Sequence, residues 1–527
     1  MTAAIPELPD DVEALKAMVL AMAAQSARLE ERTHHLEVVN KAADERIAAL
    51  TAIVKMLERA RYGRRSERLG GAVLDDDQYA FVLDEIETGL AAIQEELQAA
   101  NPDRPKRAPR ARKEFAPHLE RIERVIEPEI PPGCEGLEKV LIGEDISERL
   151  DVTAAKFRVI VTRRPKYAFR GRDGVIQAPA PAHLVESGIP SEALLAQIAV
   201  SKYADGLPLY RQEAIYARDK VELSRSLMAQ WMGKVSFELT PLADYVLERI
   251  KQAERIFADE TTLPTLAPGS GKAKTAWLWA YARDDRPFGG TSPPMVAYRF
   301  EDSRGGDCVA RHMRGFAGIL QVDGYSAYAQ LAKAKADTNE TVTLAGCWAH
   351  LRRRFYELHI NGTSRVATQS VTLMAGLWKT EDEIRGQDPT IRAAGRQKRS
   401  AAIVAELFAL WETELRRIPG KSKLAEAIRY AIARRQALER FIVDGRIEID
   451  SNIVERAIRP QTIVRKNAIF AGSDGGGRTW ATIATLLQTC RINDVDPLAW
   501  LTQTLERIAD RWPISQVEQL MPWNFKS

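Results

Sequence analysis

Arg255-Ile256-Phe257-Ala258-Asp259-Glu260-Thr261-Thr262 is an apolar run that leads straight into a carboxylate, with Leu263 and Pro264 closing it. A helical pattern precedes it and a Pro/Gly-containing turn follows. It therefore reads as the first strand of a sheet, buried along most of its length and carrying an acid at its C-terminal end. A charge taken out of water must be paired or metal-bound, which makes Asp259 a candidate site residue; the plainer alternative is a strand end reaching water. Glu260 is equally acidic, but neighbouring strand residues point to opposite faces. The strand thus carries one candidate acid, not two.

Downstream, Lys274 to Arg283 and Pro294 to Glu301 read as a second and third strand of an antiparallel meander. Asp307 to Gly315 has a helical pattern. Gly318-Ile319-Leu320-Gln321-Val322-Asp323-Gly324-Tyr325 is a second apolar strand ending in an acid, with glycine immediately after. Ala327 to Lys335 is predicted helical and Val342 to Gly346 a fifth strand. Three strands, helix, strand, helix, strand is the order of the ribonuclease-H-like fold, in which the first and fourth strands lie side by side and present Asp259 and Asp323 to one point. A third acid would come from a helix returning to the sheet. Asp450-Ser451-Asn452-Ile453-Val454-Glu455-Arg456-Ala457-Ile458-Arg459-Pro460 is the candidate, with Glu455 on the face that meets the site. The competing reading is a capping box of Asn452 and Glu455 that only satisfies a helix N-terminus. The helical, charged stretch from about Ile360 to Arg440 would be an insertion.

Val322-Asp323-Gly324-Tyr325, Cys347-Trp348-Ala349-His350-Leu351-Arg352-Arg353, Lys423-Leu424-Ala425-Glu426-Ala427-Ile428 and Asp450-Ser451-Asn452 with Glu455-Arg456 and Ile458-Arg459-Pro460 resemble the large transposase of the insertion sequence sixty-six family. Phe257 to Thr261 and Phe470-Ala471-Gly472-Ser473-Asp474 match as well, so the resemblance covers nearly the whole chain. It implies a DDE transposase with Asp259, Asp323 and Glu455 as catalytic, metal-binding triad, and Glu455 rather than Glu448 or Asp450 as the third acid. It also implies two small accessory proteins as partners. The chain departs from the family in one place. Members carry a four-cysteine zinc motif in a β module, whose second pair follows a Lys-Tyr-Ala segment. Here Lys166-Tyr167-Ala168 is followed by Phe169 and Arg172, and only Cys134 stands near the first pair. Zinc binding is therefore not expected.

Three carboxylates with no softer ligand suit hard cations, Mg²⁺ or Mn²⁺. Two such ions about 4 Å apart activate the attacking oxygen and stabilise the leaving one in an in-line displacement. Water would attack first, freeing a 3′-hydroxyl at the element end, and that hydroxyl would then attack target DNA. A ribonuclease-H-like nuclease that cuts without joining, and a non-catalytic DNA-binding assembly protein, are the alternatives. Cys347 and His350 have a metal-like spacing but no second pair, which leaves His350 as a site neighbour. Arg352, Arg353, Arg354, Arg459, Arg465 and Lys466 flank the acids and are candidate phosphate contacts, against the alternative of a solvated basic face. Gly472 to Arg478 is glycine-rich but lacks the lysine and preceding strand of a P-loop.

Upstream, Val12, Leu15, Val19, Met22, Ser26, Leu29, Thr33, Leu36, Asn40, Ala43, Ile47, Leu50, Val54 and Leu57 keep a 3-4 spacing over seven heptads. This predicts a coiled coil and a homodimer or higher oligomer, with Asn40 fixing register. The alternative is a long helix folded back on its own chain. Arg61 to Arg68 holds four arginines, an amphipathic helix is expected from Asp76 to Ala99, and 101–113 is a basic, Pro-rich linker. Short extended runs at Ile122 to Ile126, Ile146 to Leu150 and Phe157 to Thr162 predict the β module. Ser191 to Lys202, Leu207 to Ala217 and Leu223 to Val235 predict three helices. The third, led by Ser224-Arg225-Ser226, could be a helix-turn-helix reader with Arg225 on DNA, or one member of a plain bundle.

The expected architecture is α/β and multidomain. It runs as a coiled-coil and helical region (1–100), a basic linker (101–118), a β module (119–190) and a helical DNA-binding region (191–250). A ribonuclease-H-like core (251–358 and 441–490), a helical insertion (359–440) and a C-terminal helical tail (491–527) complete it. Four scattered cysteines without a CxxC pair, no signal-peptide layout and no bilayer-length apolar run predict a cytoplasmic protein. A net charge of +3 leaves the nucleic-acid argument to local clusters.

Overall fold

The computed structural model describes residues 119–527 except 133–138, 154–155, 171–172, 187, 268–271, 337–339, 361–363 and 527, together with 115, 117 and isolated positions before 100. Most of the expected coiled-coil seam lies outside the described residues, as do the arginine run at 61–68, the linker at 101–113 and Cys134. The described seam residues Val19, Met22, Ser26, Leu29 and Thr33 are helical and exposed.

The first sheet holds β1 (Glu120–Val125), β2 (Lys139–Thr153), β3 (Lys156–Phe169) and β4 (Val175–Gln177), with β3 between β1 and β2 and β4 also on β3. β2 and β3 are far longer than their apolar centres predict. Charged residues continue both strands by pairing across them: Arg163 reaches Glu144 at 2.8 Å and Glu123 at 3.2 Å, and Lys166 reaches Asp145 at 2.6 Å. Alternating apolar periodicity cannot register a strand held this way.

Three helices follow: α1 (Glu192–Tyr203), α2 (Leu209–Arg218) and α3 (Arg225–Lys251). Ser191 and Ser224 cap α1 and α3 by accepting from the amides of Leu194 and Leu227. The third helix was expected to stop at Val235. It continues through Pro241 to Lys251, because Leu239, Leu242, Val246 and Ile250 carry its apolar face on into the core. Over this length the helix packs beneath the second sheet, so it is twice as long as expected and its later turns belong to the core.

The second sheet holds β5 (Arg255–Leu266), β6 (Ala273–Arg283), β7 (Met295–Glu301), β8 (Gly318–Val322) and β9 (Val342–Gly346), in the order β7-β6-β5-β8-β9. β5, β6 and β7 form the antiparallel meander, and β8 and β9 run parallel to β5 and to each other. α4 (Gly306–His312) and α5 (Ser326–Ala334) make the crossovers. After β9 come α6 (Trp348–Ile360), α7 (Arg365–Ile384), α8 (Pro389–Leu415), α9 (Lys423–Ile432) and α10 (Arg435–Val443). They pack around their own core, in which Phe355 stacks on Trp411 with ring centroids 5.0 Å apart.

The chain then returns through α11 (Asn452–Ala468), α12 (Asp474–Ile492) and α13 (Pro497–Ala509). α12 closes the free edge of β7. Tyr298 donates its amide to Thr485 Oγ1 at 2.8 Å, and Thr489 Oγ1 donates to the Val296 carbonyl at 3.1 Å. Two side-chain hydroxyls thus satisfy an edge that would otherwise be open to pairing. The glycine-rich stretch begins α12, capped by Ser473. A Cβ at Gly477 would sit 2.4 Å from the Phe300 ring, so glycine allows this close approach.

Candidate active site

Parallel pairing of β5 and β8 sets Phe257 opposite Gln321. Asp259 and Asp323 are each two residues further on, and side chains two apart on a strand share a face. The two acids therefore lie at matching positions of neighbouring strands, Asp323 just past the end of β8 and Asp259 midway along β5, which runs on to Leu266 and so does not end at its acid as expected. Asp259 Oδ1 accepts the Glu260 amide at 2.9 Å, and Asp323 Oδ1 accepts the Tyr325 amide at 2.9 Å. Burial pushes the Asp259 carboxyl up to about 7, and the negative charges of Glu260, Asp323 and Glu455 push the same way.

Glu455 sits in the first turn of α11, where the helix N-terminus favours an acid. The capping box does not form. Asn452 donates its amide and side-chain nitrogens to Asp450, at 3.1 and 2.8 Å, while Glu455 Oε1 lies 3.5 Å from Ser451 Oγ. Gln321 lays the approach to this helix along the sheet: its Nε2 donates to the Glu448 carbonyl at 2.6 Å and the Asp450 carbonyl at 3.1 Å, and its Oε1 accepts the Glu448 amide at 3.2 Å. Cys347 Sγ accepts the Ser451 amide at 3.2 Å. A buried glutamine in the strand before Asp323 was the available signal for this clamp, and sequence reasoning passed over it.

His350 Nδ1 stands 3.5 Å from Glu455 Oε1 and Arg353 Nη2 stands 3.7 Å from Oε2. Ligand atoms of Cys347, His350 and Glu455 lie within 4.8 Å of one another. This is a softer donor set than the acids, although burial pushes the Cys347 thiol up to about 11. The spacing of Cys347 and His350 thus does converge on one acid. Glu260 faces elsewhere: Arg304 donates to its Oε1 at 2.9 and 2.5 Å, and the Tyr328 hydroxyl to its Oε2 at 2.8 Å.

The candidate DNA contacts divide. Arg353, Arg459 and Lys466 are exposed; Arg353 lies beside Glu455, Arg459 is one turn further along α11, and Lys466 is in its last turn. Arg352 lies over the rings of Tyr356 and Trp378, and Arg225 opens α3, its amide bonded to Glu213. Arg465 is a correction. Its Nη1 donates to the Thr262 carbonyl and to the hydroxyls of Thr261 (3.2 Å) and Thr262 (3.0 Å), so it ties α11 to β5.

Residues 187–479 match the model of the family described as "Transposase IS66 family". The chain belongs to this family. Residues 485–523 match the IS66 C-terminal element of the same transposases. The stretch 49–124 matches "Transposase C of IS166 homeodomain", and 131–171 matches "zinc-finger binding domain of transposase IS66". Three relatives come from Sinorhizobium fredii (strain NBRC 101917 / NGR234). "Uncharacterized protein y4qI" is 70% identical over 100% of this chain and 99% of that protein. "Uncharacterized protein y4jD" is 38% identical over 99% and 98%, and "Uncharacterized protein y4hP" 34% over 91% and 89%. As an IS66 transposase the chain acts on DNA. Its matched zinc-finger span contains one cysteine, Cys134, and no histidine, so the usual set of four Cys and His zinc ligands is not there. No helix among the described residues is long and apolar enough to cross a membrane.

Proposed function

We propose that this IS66 transposase is a DDE enzyme on a ribonuclease-H-like core. Asp259, Asp323 and Glu455 would be its triad, cleaving the element's 3′ ends and joining them to target DNA. The observation that carries this reading is the shared register of Asp259 and Asp323 on adjacent parallel strands. A divalent cation suits the three acids. Their donors are all oxygen, and the Asp259 carboxyl, raised first by burial and then by its acidic neighbours, stands where a cation would favour its charged form. When bound, Mg²⁺ or Mn²⁺, as two ions, would supply activation of the attacking oxygen and stabilisation of the leaving one.

The chain's own part is positioning. β5 and β8 hold two acids, Gln321 and Cys347 steer the segment that brings the third, and His350 stands 3.5 Å from Glu455. Arg353, Arg459 and Lys466 would take DNA phosphates around them. The N-terminal heptads would pair two copies, and accessory proteins of the element would complete the assembly. The β module would fold without zinc, through its cross-strand ion pairs.

A strand-transfer assay tests the reading. Duplex DNA carrying the element's ends, with Mg²⁺ and a target plasmid, should yield nicked 3′-hydroxyl ends and then joined products. Cleavage without joining would make the protein a nuclease. No Mg²⁺-dependent cleavage, with accessory proteins supplied, would overturn the catalytic assignment.

A further inference from the structure

The turn that carries Asp323 is gripped from the insertion as well as from the sheet. Tyr430, in α9, donates its hydroxyl to the Asp323 main-chain carbonyl. Arg434, just beyond that helix, donates Nη2 to the Gly324 carbonyl at 2.9 Å. Gly324 has φ +104°, and a Cβ there would lie 2.4 Å from Arg434 Nε and 2.8 Å from the Tyr430 hydroxyl. Only glycine permits both the backbone angle and this approach. Two guanidinium groups rest on the Tyr430 ring, Arg434 at 4.0 Å and Arg354 of α6 at 4.2 Å from its centroid. Among the described residues neither arginine has an ion pair with a carboxylate. Arg354 is exposed and Arg434 half-buried.

Two guanidinium groups without a carboxylate partner lie against one ring beside the turn of an acid; Arg434 spends Nη2 and Nη1 on the Gly324 and Tyr430 carbonyls, at 2.9 and 3.4 Å, and the charge of both groups is left for an anion with several oxygens. In a DNA-acting enzyme that anion is a backbone phosphate. We propose that Arg354 and Arg434 bind a DNA phosphate flanking the scissile one, and that Tyr430 and Arg434 are positioning residues that couple its arrival to Asp323. The helical insertion is then a substrate sensor. This rests on the reading of Asp323 as a catalytic acid given above. The phosphate site and the positioning role are separate claims, read by binding and by rate.

The experiment uses the full chain and duplex DNA carrying the element's ends, with binding measured on an Asp323→Asn background. Arg354→Ala should weaken binding about tenfold and lower the slope of log affinity against log salt by about one. Because Arg354 is exposed, this variant should fold. Tyr430→Phe should bind DNA as its parent does, and on the wild-type background should cut kcat about tenfold at unchanged KM. Wild-type affinity and salt slope in both Arg354→Ala and Arg434→Ala would overturn the phosphate site. An unchanged kcat in Tyr430→Phe would overturn the positioning role. If the wild type cleaves no DNA while Arg354→Ala still loses affinity, the reaction assigned above fails and the phosphate site stands.

Discussion

Two of the clusters of charged side chains in this molecule are balanced differently. In the insertion, Arg392 and Arg396 are fully buried. Arg396 meets Glu381 through two bonds of 2.7 Å, and Arg392 reaches Glu448 at 2.5 Å and Glu381 at 3.3 Å. Two cations face two acids. Around Asp259, Glu260, Asp323 and Glu455, the partners among the described residues are Arg304 on Glu260 and, on Glu455, His350 and the exposed Arg353. Arg304 is committed to Glu260, so the negative surplus falls on the other three. The balanced group accounts for itself as architecture. The unbalanced one stores a need for positive charge, which is what a cation or substrate site requires.

The largest test of this contrast removes the surplus. Asp259→Asn, Asp323→Asn and Glu455→Gln should each lower Mg²⁺-dependent DNA cleavage by about 10³-fold or more, measured on end-labelled duplex, while DNA binding persists. In the balanced group the effect should fall on stability instead. Arg396→Leu leaves Glu381 short of its main partner and should cost roughly 3–5 kcal/mol in urea unfolding, a loss that added divalent metal does not restore.

pH should separate the two groups further. The Asp259 carboxyl is raised from 3.8 to about 7, first by burial and then by its acidic neighbours. The native state therefore holds a proton that the unfolded chain has released, and the metal-free protein should lose stability as pH rises from about 4 through about 7. Asp259→Asn should remove that loss, so its advantage in Tm over the wild type should grow between about pH 5 and about pH 8. Mn²⁺ should raise the wild-type Tm more at the higher pH. The smallest effect belongs to the first sheet: Arg163→Ala breaks half-exposed pairs with Glu123 and Glu144, and its urea midpoint should stay close to that of the wild type, because solvent screens such pairs.

The strand order of the second sheet was legible because each strand is a short apolar run bounded by turn residues, and parallel neighbours with acids at matching offsets followed from it. Glu455 was harder, since a helix-start acid and a site acid look alike in sequence; what Asn452 bonds to decides against the cap. Arg465 and Lys466 are adjacent and equally basic, yet one is spent on the Thr262 carbonyl and the other is exposed. Nothing local distinguishes them. Tyr430 and Arg434 escaped for the same reason: their partner is a turn brought to them by the docking of the insertion. The run of α3 past Val235 was hidden by Pro241, whose usual meaning as a helix breaker is overridden by burial on both sides of it.

The most direct measurement is Mn²⁺ binding to the full chain by electron paramagnetic resonance. The account predicts two bound ions that are lost, wholly or in part, in Asp259→Asn, Asp323→Asn and Glu455→Gln, and retained in His350→Ala. Binding that survives unchanged in both aspartate variants and disappears in His350→Ala would contradict it, and would give the cation to Cys347, His350 and Glu455 instead.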